Sequence, residues 1–210
     1  MKVKVMYISI VVIGLFVLFY PDLSERYYDY QQQKLIQSWE ESFQNIQQTE
    51  EEMDQVSETN HDEMMNTSLE DLKSAFSEYE NMEGILTINK IVLKLPILQG
   101  ATQENLKTTL ASIENTSKAG QTGNYAIAGH RSHTYGRNFN RLDELEIGDI
   151  IDIRNEDSSF QYQVTEKLIV EPQDVWVLEG NDVDKELTLV TCDPLINPTH
   201  RLIVKAKLVE

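Results

Sequence analysis

Residues 187–194 have the sequence LTLVTCDP, in which aliphatic and β-branched residues precede an Asp-Pro pair. Such a run predicts a β-strand, and Pro194 predicts its end, because proline lacks the backbone N–H that a strand ladder uses. Cys192 lies at the end of this strand and is the only cysteine among the 210 residues. The segment therefore predicts a single accessible thiol at a strand end.

Two interpretations of Cys192 are open. Free cysteine is among the most buried residue types, which favours an inert hydrophobic side chain. The alternative is a nucleophile, which needs a base and an electrostatic partner from elsewhere in the chain. The residues that the fold brings next to Cys192 decide between the two.

The residues after Glu83 contain other short runs that, like 187–192, are typical of β-strands. Glycine-rich and Asn/Asp-rich turns separate short β-rich runs. We predict strands at 87–98, 124–128, 149–154, 160–170, 187–192 and 201–209, with helices at 103–113 and around 139–145. Several short strands with few helices in about 120 residues predict a mainly β fold, either a closed barrel or a sandwich.

Arg201 is the first candidate partner of the thiol. If the last two predicted strands form an antiparallel hairpin, Cys192 lies opposite Arg201. A guanidinium in that position favours a thiolate, or donates hydrogen bonds to an oxyanion or a substrate carbonyl. The alternative is a surface salt bridge, which is the commoner role of an isolated arginine.

His130 is the first candidate base, because it follows the predicted strand at 124–128. Gly129 before it allows a neighbouring backbone or substrate to come close. Imidazole, with an ordinary pKa of about 6.5, donates or accepts a proton near neutral pH. His133, in a polar loop, and His200, beside the candidate arginine, are rival bases.

The N-terminal residues predict membrane attachment. Residues 5–20 carry no charge, follow Lys2 and Lys4, and end at Pro21. No small-x-small cleavage site follows, so we predict an uncleaved signal anchor, a transmembrane helix near the lower length limit. The lysines predict a cytoplasmic N-terminus and an extracellular body. The predicted segments are an anchor at 1–21, an appendage at 22–83 and a β domain at 84–210.

Residues 22–83 carry 17 acidic against 3 basic side chains, and so account for most of the net charge of −17. Apolar residues at helical spacing from Ile36 to Val56, and again over 69–79, favour a helical appendage. The alternative is a solvated spacer. The chain shows no basic face for phosphate binding, which argues against nucleic-acid binding.

No cofactor is predicted. The histidines and the cysteine lack the spacing of zinc ligands. Ca²⁺ has weak support from a group of acidic residues without a typical ligand spacing. That group comprises Glu171, Asp174, Glu179, Asp182 and Asp184. Trp176, within the same segment, is either part of a substrate pocket or a core residue.

Three motifs occur together in the β domain. They are Ala-Gly-His-Arg at 128–131, Thr-Leu-Val-Thr-Cys at 188–192, and Arg201. From about Gly84 to the C-terminus, the sequence thereby resembles the sortase family. The cysteine motif of that family is Thr-Leu-x-Thr-Cys. The order of the three motifs is far more specific than any one of them, and it favours the nucleophile interpretation of the cysteine.

Sortases are membrane-anchored cysteine transpeptidases of mainly Gram-positive bacteria with an eight-stranded β-barrel. The resemblance implies that Cys192 attacks the Thr–Gly bond of a Leu-Pro-x-Thr-Gly-like sorting signal on a surface protein and forms a thioester. It implies His130 as acid and base, Arg201 as the oxyanion or substrate ligand, and Thr191 as a further donor to the substrate. The implied acceptor is an amine of a peptidoglycan precursor or of another surface protein.

The subclass stays open. The N-terminal anchor resembles class A, D or E, whereas residues 197–202 resemble the last loop of pilin-building sortases. Two further alternatives are an anchored extracytoplasmic interaction module with an inert cysteine, and a cysteine transpeptidase acting on D-amino-acid stems. The Ser-His-Gly-Cys motif expected of the latter is absent from the sequence.

Overall fold

The computed structural model describes residues 2–53, 81–156, 158–181 and 183–209. These residues form a long N-terminal helix and a closed β-barrel of eight strands. The helices are α1 (Lys2–Met53) and α2 (Gln103–Thr108), and 3-10 turns cover Asn89–Ile91, Leu142–Glu144 and Val175–Leu178. The strands are β1 (Met82–Ile88), β2 (Leu93–Leu98), β3 (Leu110–Ser112), β4 (Gly123–Ala128), β5 (Ile150–Arg154), β6 (Ser159–Val170), β7 (Lys185–Asp193) and β8 (His200–Leu208).

The order of strands around the barrel is β1-β2-β3-β4-β7-β8-β6-β5. Most neighbours are antiparallel, but β2 with β3 and β4 with β7 are parallel. Because parallel strands end at the same edge of a sheet, the C-terminal ends of β4 and β7 lie side by side. This edge holds the residues that follow Ala128 and Val190, which are paired in the register of the two strands.

Alternating side chains of the strands fill the barrel. In β8 the inward residues Leu202, Val204 and Ala206 are each at most 3% exposed, as the period-two pattern predicts. Tyr162 is fully buried in the same core, and its hydroxyl oxygen accepts a hydrogen bond from the Gly120 N–H at 2.7 Å. The predicted mainly β fold is confirmed, and the barrel is closed.

The single strand predicted at residues 87–98 is wrong, because two strands occupy this segment. β1 ends at Ile88, a 3-10 turn follows, and Val92 adopts a left-handed φ of 53°. The turn reverses the chain, so that Ile88 pairs with Leu93 across a β1–β2 hairpin. Ile91, within the turn, is buried like the strand residues, which makes the apolar pattern continuous across the reversal.

The helix predicted at residues 103–113 is correct only in its first half. The Thr102 hydroxyl accepts a hydrogen bond from the Asn105 N–H at 3.2 Å and caps the start of α2. The chain then leaves the helix, because Leu110 pairs with Ile97 of β2 and extends the barrel as β3. The short helix predicted around 139–145 is the 3-10 turn at Leu142–Glu144.

Side chains of α1 between Gln32 and Glu40 pack against the barrel domain. Trp39 is 2% exposed and lies in a cluster with Met82 and Ile85. Glu40 accepts a hydrogen bond from Lys94 Nζ at 2.7 Å. Residues of the predicted appendage are therefore docked on the β domain. The second helix predicted over 69–79 lies outside the described residues.

α1 runs without interruption through Pro21, the predicted end of the anchor. In the part of the chain that the structure describes, no helix combines the length and the apolar character needed to cross a membrane. The transmembrane helix predicted at residues 5–20 stays a prediction.

Candidate active site

Cys192 and Arg201 are directly opposite each other in the β7–β8 ladder, so the pairing predicted from the hairpin is confirmed. On its other side Arg201 pairs with Val170 of β6. Both Cys192 and Arg201 are half-buried, and the thiol is free. Arg201 Nη1 donates a hydrogen bond to the His200 carbonyl at 2.9 Å, which occupies one of the five guanidinium donors and orients the group at the strand end.

His130 lies at the same edge of the barrel because β4 runs parallel to β7. The Gly129 N–H donates to the Val190 carbonyl at 3.1 Å, and the Thr191 hydroxyl donates to the Gly129 carbonyl at 2.8 Å. These bonds tie the backbone just before His130 to the strand that carries Cys192. The fold therefore brings His130 and Cys192 to one edge, although they are far apart in sequence.

The environment of His130 favours its neutral form. The side chain is exposed, yet desolvation by the surrounding protein lowers its pKa from the usual value of 6.5, because a less hydrated site disfavours the imidazolium. Its carbonyl accepts a hydrogen bond from the Phe139 N–H at 3.0 Å, within the segment 129–140 that we call the histidine loop. At neutral pH this imidazole is more available as a base than an unperturbed one.

Gly129 is needed for close packing beside His130. A Cβ at this position would lie 2.6 Å from Leu110 Cδ2 and 2.6 Å from Phe139 Cδ2. Both of these neighbours are fully buried, so neither moves without opening the core. The glycine of the histidine motif therefore has a packing role.

Arg131 and Asp193, the residues that follow His130 and Cys192 in sequence, are also in contact. Arg131 Nη1 donates a hydrogen bond to Asp193 Oδ1, and Arg131 Nη2 lies 2.9 Å from Asp143 Oδ2. The Arg131 side chain is 8% exposed. None of these three residues was predicted to have a role in the site, although Arg131 belongs to the histidine motif and Asp193 directly follows the cysteine motif.

The rival bases occupy different surroundings. His133 is exposed in the histidine loop. His200 pairs with Asp193 in the β7–β8 ladder, and its ring contacts the Thr199 hydroxyl at 2.8 Å and Glu171 at 3.6 Å. His200 thus belongs to a surface network that includes an acidic residue.

The family of the chain follows from its sequence and fold together. Residues 86–209, more than half of the chain and nearly all of the barrel, match the family model for the sortase domain. The chain belongs to the sortase family. Sortases are cysteine transpeptidases, so the enzyme class predicted from the motifs is confirmed, and the non-enzymatic module is set aside.

Similar proteins cover several sortase classes. This sortase is 29% identical over 201 residues to Sortase A of Bacillus anthracis, covering 96% of this chain and 94% of the relative. It superimposes on the Sortase D5 transpeptidase of Clostridium perfringens with a TM-score of 0.58 and 35% identity, covering 66% of this chain and 86% of that one. The pilus-related Sortase C of Group B Streptococcus gives a TM-score of 0.59 with 31% identity, covering 62% and 68%. The subclass stays a prediction.

The two predicted substrate-binding residues of this sortase differ in exposure. Thr191 is 2% exposed, and its hydroxyl donates to the Gly129 carbonyl. Trp176 is 51% exposed in the turn between β6 and β7, with Lys205 Nζ 5.9 Å from its ring centroid. The exposed position of Trp176 leaves its indole available to a ligand, and a core role is excluded.

The acidic residues between β6 and β7 make surface ion pairs and hydrogen bonds in this sortase. Asp184 pairs with Lys207 at 2.7 Å, and this hydrogen bond holds the pKa of Asp184 below its usual range. Asp174 accepts a hydrogen bond from the Glu171 N–H at 3.0 Å. Asp182 lies outside the described residues, and those that are described contain no group of three or more residues arranged to hold a metal ion.

Proposed function

We propose that this sortase cleaves a Leu-Pro-x-Thr-Gly-like sorting signal between Thr and Gly, and transfers the protein that carries it to an amine of a peptidoglycan precursor. The observation that carries this proposal is the arrangement at one edge of the barrel. Cys192 faces Arg201 across the β7–β8 ladder, and the parallel β4 delivers His130 to the same edge.

In the first step Cys192 acts as the nucleophile. The thiol proton passes to His130 as Sγ attacks the threonine carbonyl, and the carbonyl oxygen takes the negative charge while the Sγ–C bond forms. Arg201 donates hydrogen bonds to this oxygen, a form of stabilisation that grows as the charge develops. The C–N bond to glycine then breaks, His130 gives its proton to the leaving amine, and a thioester remains on Cys192.

In the second step an acceptor amine attacks the thioester. His130 removes the proton of the incoming amine, the new C–N bond forms, and the Cys192 thiolate leaves. One acyl bond replaces another, so the exchange needs no oxidant or reductant. Holding the acyl group as a thioester keeps it reactive towards an amine.

Exposed apolar side chains support binding of the apolar end of the signal. Val175 and Trp176 precede β7, and Ile196 follows it in the β7–β8 loop; their exposed fractions are 66%, 51% and 68%. Ile169, 61% exposed, lies near the end of β6 beside β8. Exposed apolar side chains form a binding surface when they make a continuous patch, and we propose that these four side chains form such a patch for the leucine and proline of the signal.

The test uses residues 22–210, which keep the docked part of α1. The protein is incubated with a sorting-signal peptide and an amine nucleophile, and products are identified by mass spectrometry. We expect transpeptidation product and a Cys192 thioester from the unaltered protein, and neither from Cys192→Ala. Product from both proteins, or from neither across several signal sequences, would count against the proposal.

A pilin-type acceptor is the second candidate. The likeness to the pilus-related Sortase C of Group B Streptococcus supports it. The same assay distinguishes the two acceptors when a peptidoglycan-stem amine and a lysine-containing pilin peptide compete for one thioester. Preferential transfer to lysine would favour pilin polymerisation.

We also infer an extracytoplasmic location, with residues 5–20 attaching the protein to the membrane. The uncharged run after Lys2 and Lys4 supports this inference. Fractionation and protease treatment of intact cells test it. Recovery of the full chain in the cytosol, protected from added protease, would contradict it.

A further inference from the structure

The ion pair between Arg131 and Asp193 joins the segments that carry His130 and Cys192. Arg131 uses one guanidinium nitrogen for Asp193 and the other for Asp143, so its fork bridges two carboxylates. The exposed fraction is 8% for the Arg131 side chain and 21% for that of Asp193. A guanidinium so protected from water is stable only when it is paired, and here both of its terminal nitrogens face carboxylates.

This contact lies beyond the backbone bonds that align β4 with β7. The paired register ends at Ala128, and Gly129 makes the next bond to a β7 carbonyl. His130 follows these bonds and is exposed. The side chains of Arg131 and Asp193 therefore continue the alignment of the two segments past the end of the ladder.

Both ends of the ion pair are held by backbone pairing. Arg131 forms an isolated β-bridge with Asn138 across the histidine loop. Asp193 pairs with His200 in the β7–β8 ladder. Because each partner is fixed to its own segment, a movement of the histidine loop relative to β7 must stretch or break the ion pair.

We propose that Arg131 and Asp193 are positioning residues. Their ion pair holds the His130 imidazole where it exchanges a proton with the amine that leaves or attacks the acyl group on Cys192. The proposal rests on the proposed roles of His130 and Cys192 in transpeptidation. The pair acts through these two residues and does not contact the reacting atoms. A displacement of about 1 Å at a reacting group lowers a rate by as much as about 100-fold, so the effect falls on kcat.

The first test compares Asp193→Asn, Arg131→Met and the double variant in the full chain. Each single variant is expected to lower kcat by about 10- to 100-fold with KM changed less than about threefold, and the double variant is expected to be no slower than the slower single one. Glu144→Gln is the matched control, because it makes the same carboxylate-to-amide change at a more exposed carboxylate, 41% exposed, whose Oε2 lies 2.7 Å from Arg141 Nη2. It is expected to leave kcat unchanged.

The second test observes His130 directly and needs no substrate. In NMR spectra, Asp193→Asn is expected to shift the His130 ring resonances and to speed hydrogen exchange at the Phe139 amide, which bonds to the His130 carbonyl. Glu144→Gln is expected to change neither. If Arg131→Met fails to fold, Asp193→Asn decides alone, since Arg131 keeps its contact with Asp143.

Three outcomes overturn the proposal: unchanged kcat in Asp193→Asn, unchanged His130 resonances in that variant, or additive losses in the double variant. If the unaltered protein converts no sorting-signal peptide, the proposed function fails. The resonances of His130 in that case still decide whether Arg131 and Asp193 position it.

Discussion

The side-chain amide of Gln32, on α1, donates a hydrogen bond of 3.1 Å to Asn138 Oδ1, on the loop that carries His130. The same nitrogen donates to the Thr108 carbonyl at 2.6 Å. Gln32 is 6% exposed, so water does not replace it easily as a partner. Asn138 in turn forms an isolated backbone β-bridge with Arg131. The helix outside the barrel therefore supports the far side of the histidine loop.

Replacing Gln32 by alanine is expected to destabilise the protein. The change leaves a buried acceptor on Asn138 and a partly buried carbonyl on Thr108 without their donor, which costs about 1–3 kcal/mol. Urea unfolding of residues 22–210 measures the loss. Gln33→Ala is the control, because Gln33 is exposed on the same helix and its loss should change the free energy of unfolding by less than about 0.5 kcal/mol. Equal free energies of unfolding for the two variants would show that the Gln32 contact contributes nothing to stability.

Trp39→Ala is expected to have a larger effect than Gln32→Ala. The indole is 2% exposed and packs on Met82 and Ile85, and it also lies 5.2 Å from the guanidinium of Arg154. Removing a buried tryptophan typically costs about 3–5 kcal/mol. Thermal unfolding checks this, with Tyr30→Ala as control, since Tyr30 is 66% exposed on the same helix. A similar shift in Tm for both would mean that α1 does not dock in solution.

The pairing of Cys192 with Arg201 was predictable because it is local. A short loop joins the two strands, each strand alternates inward and outward residues, and the register follows from the numbering. The parallel pairing of β4 with β7 was not predictable in the same way. Nothing in residues 123–128 specifies a partner strand about 60 residues later, so the meeting of His130 with Cys192 required the fold or the family resemblance.

The ion pair of Arg131 with Asp193 was missed for a similar reason. Arg131 ends the histidine motif and Asp193 follows the cysteine motif, and a basic and an acidic side chain in these positions are complementary. Their contact depends on the parallel register, which the sequence does not show. The β1–β2 turn was missed for another reason: Val92 takes a left-handed conformation that β-branched residues rarely adopt, so the residue that completes the turn does not indicate one.

Arg201→Lys is expected to lower kcat/KM for a sorting-signal peptide by about 10²–10³-fold. Lysine keeps the positive charge but lacks the planar fork that Arg201 holds against the His200 carbonyl at 2.9 Å. Lys207→Met is the control on the same strand, because Lys207 pairs with Asp184 at 2.7 Å. Steady-state kinetics measure both. If Arg201→Lys retained full activity, charge alone would be sufficient at this position.

The His130 imidazole is expected to titrate below pH 6.5 in the folded protein, because desolvation lowers its pKa. NMR of the ring resonances measures the midpoint, and the same chain in urea supplies the unperturbed reference. A midpoint at or above the reference would contradict the effect.

The lowered pKa of His130 also fixes the sign of a stability effect. Between the folded and the unfolded pKa the unfolded chain binds more protons, so the free energy of unfolding rises with pH in this window and falls as the pH is lowered through it. His130→Gln removes the titrating group. The variant is therefore expected to lose less stability than the unaltered protein when the pH is lowered from 7 towards 5, as measured by urea unfolding at each pH. Parallel pH profiles of the two proteins would show that the imidazole ionises equally in both states. In the catalytic cycle the same shift leaves a smaller protonated fraction at neutral pH, so protonation of the leaving amine is expected to limit acylation as the pH rises.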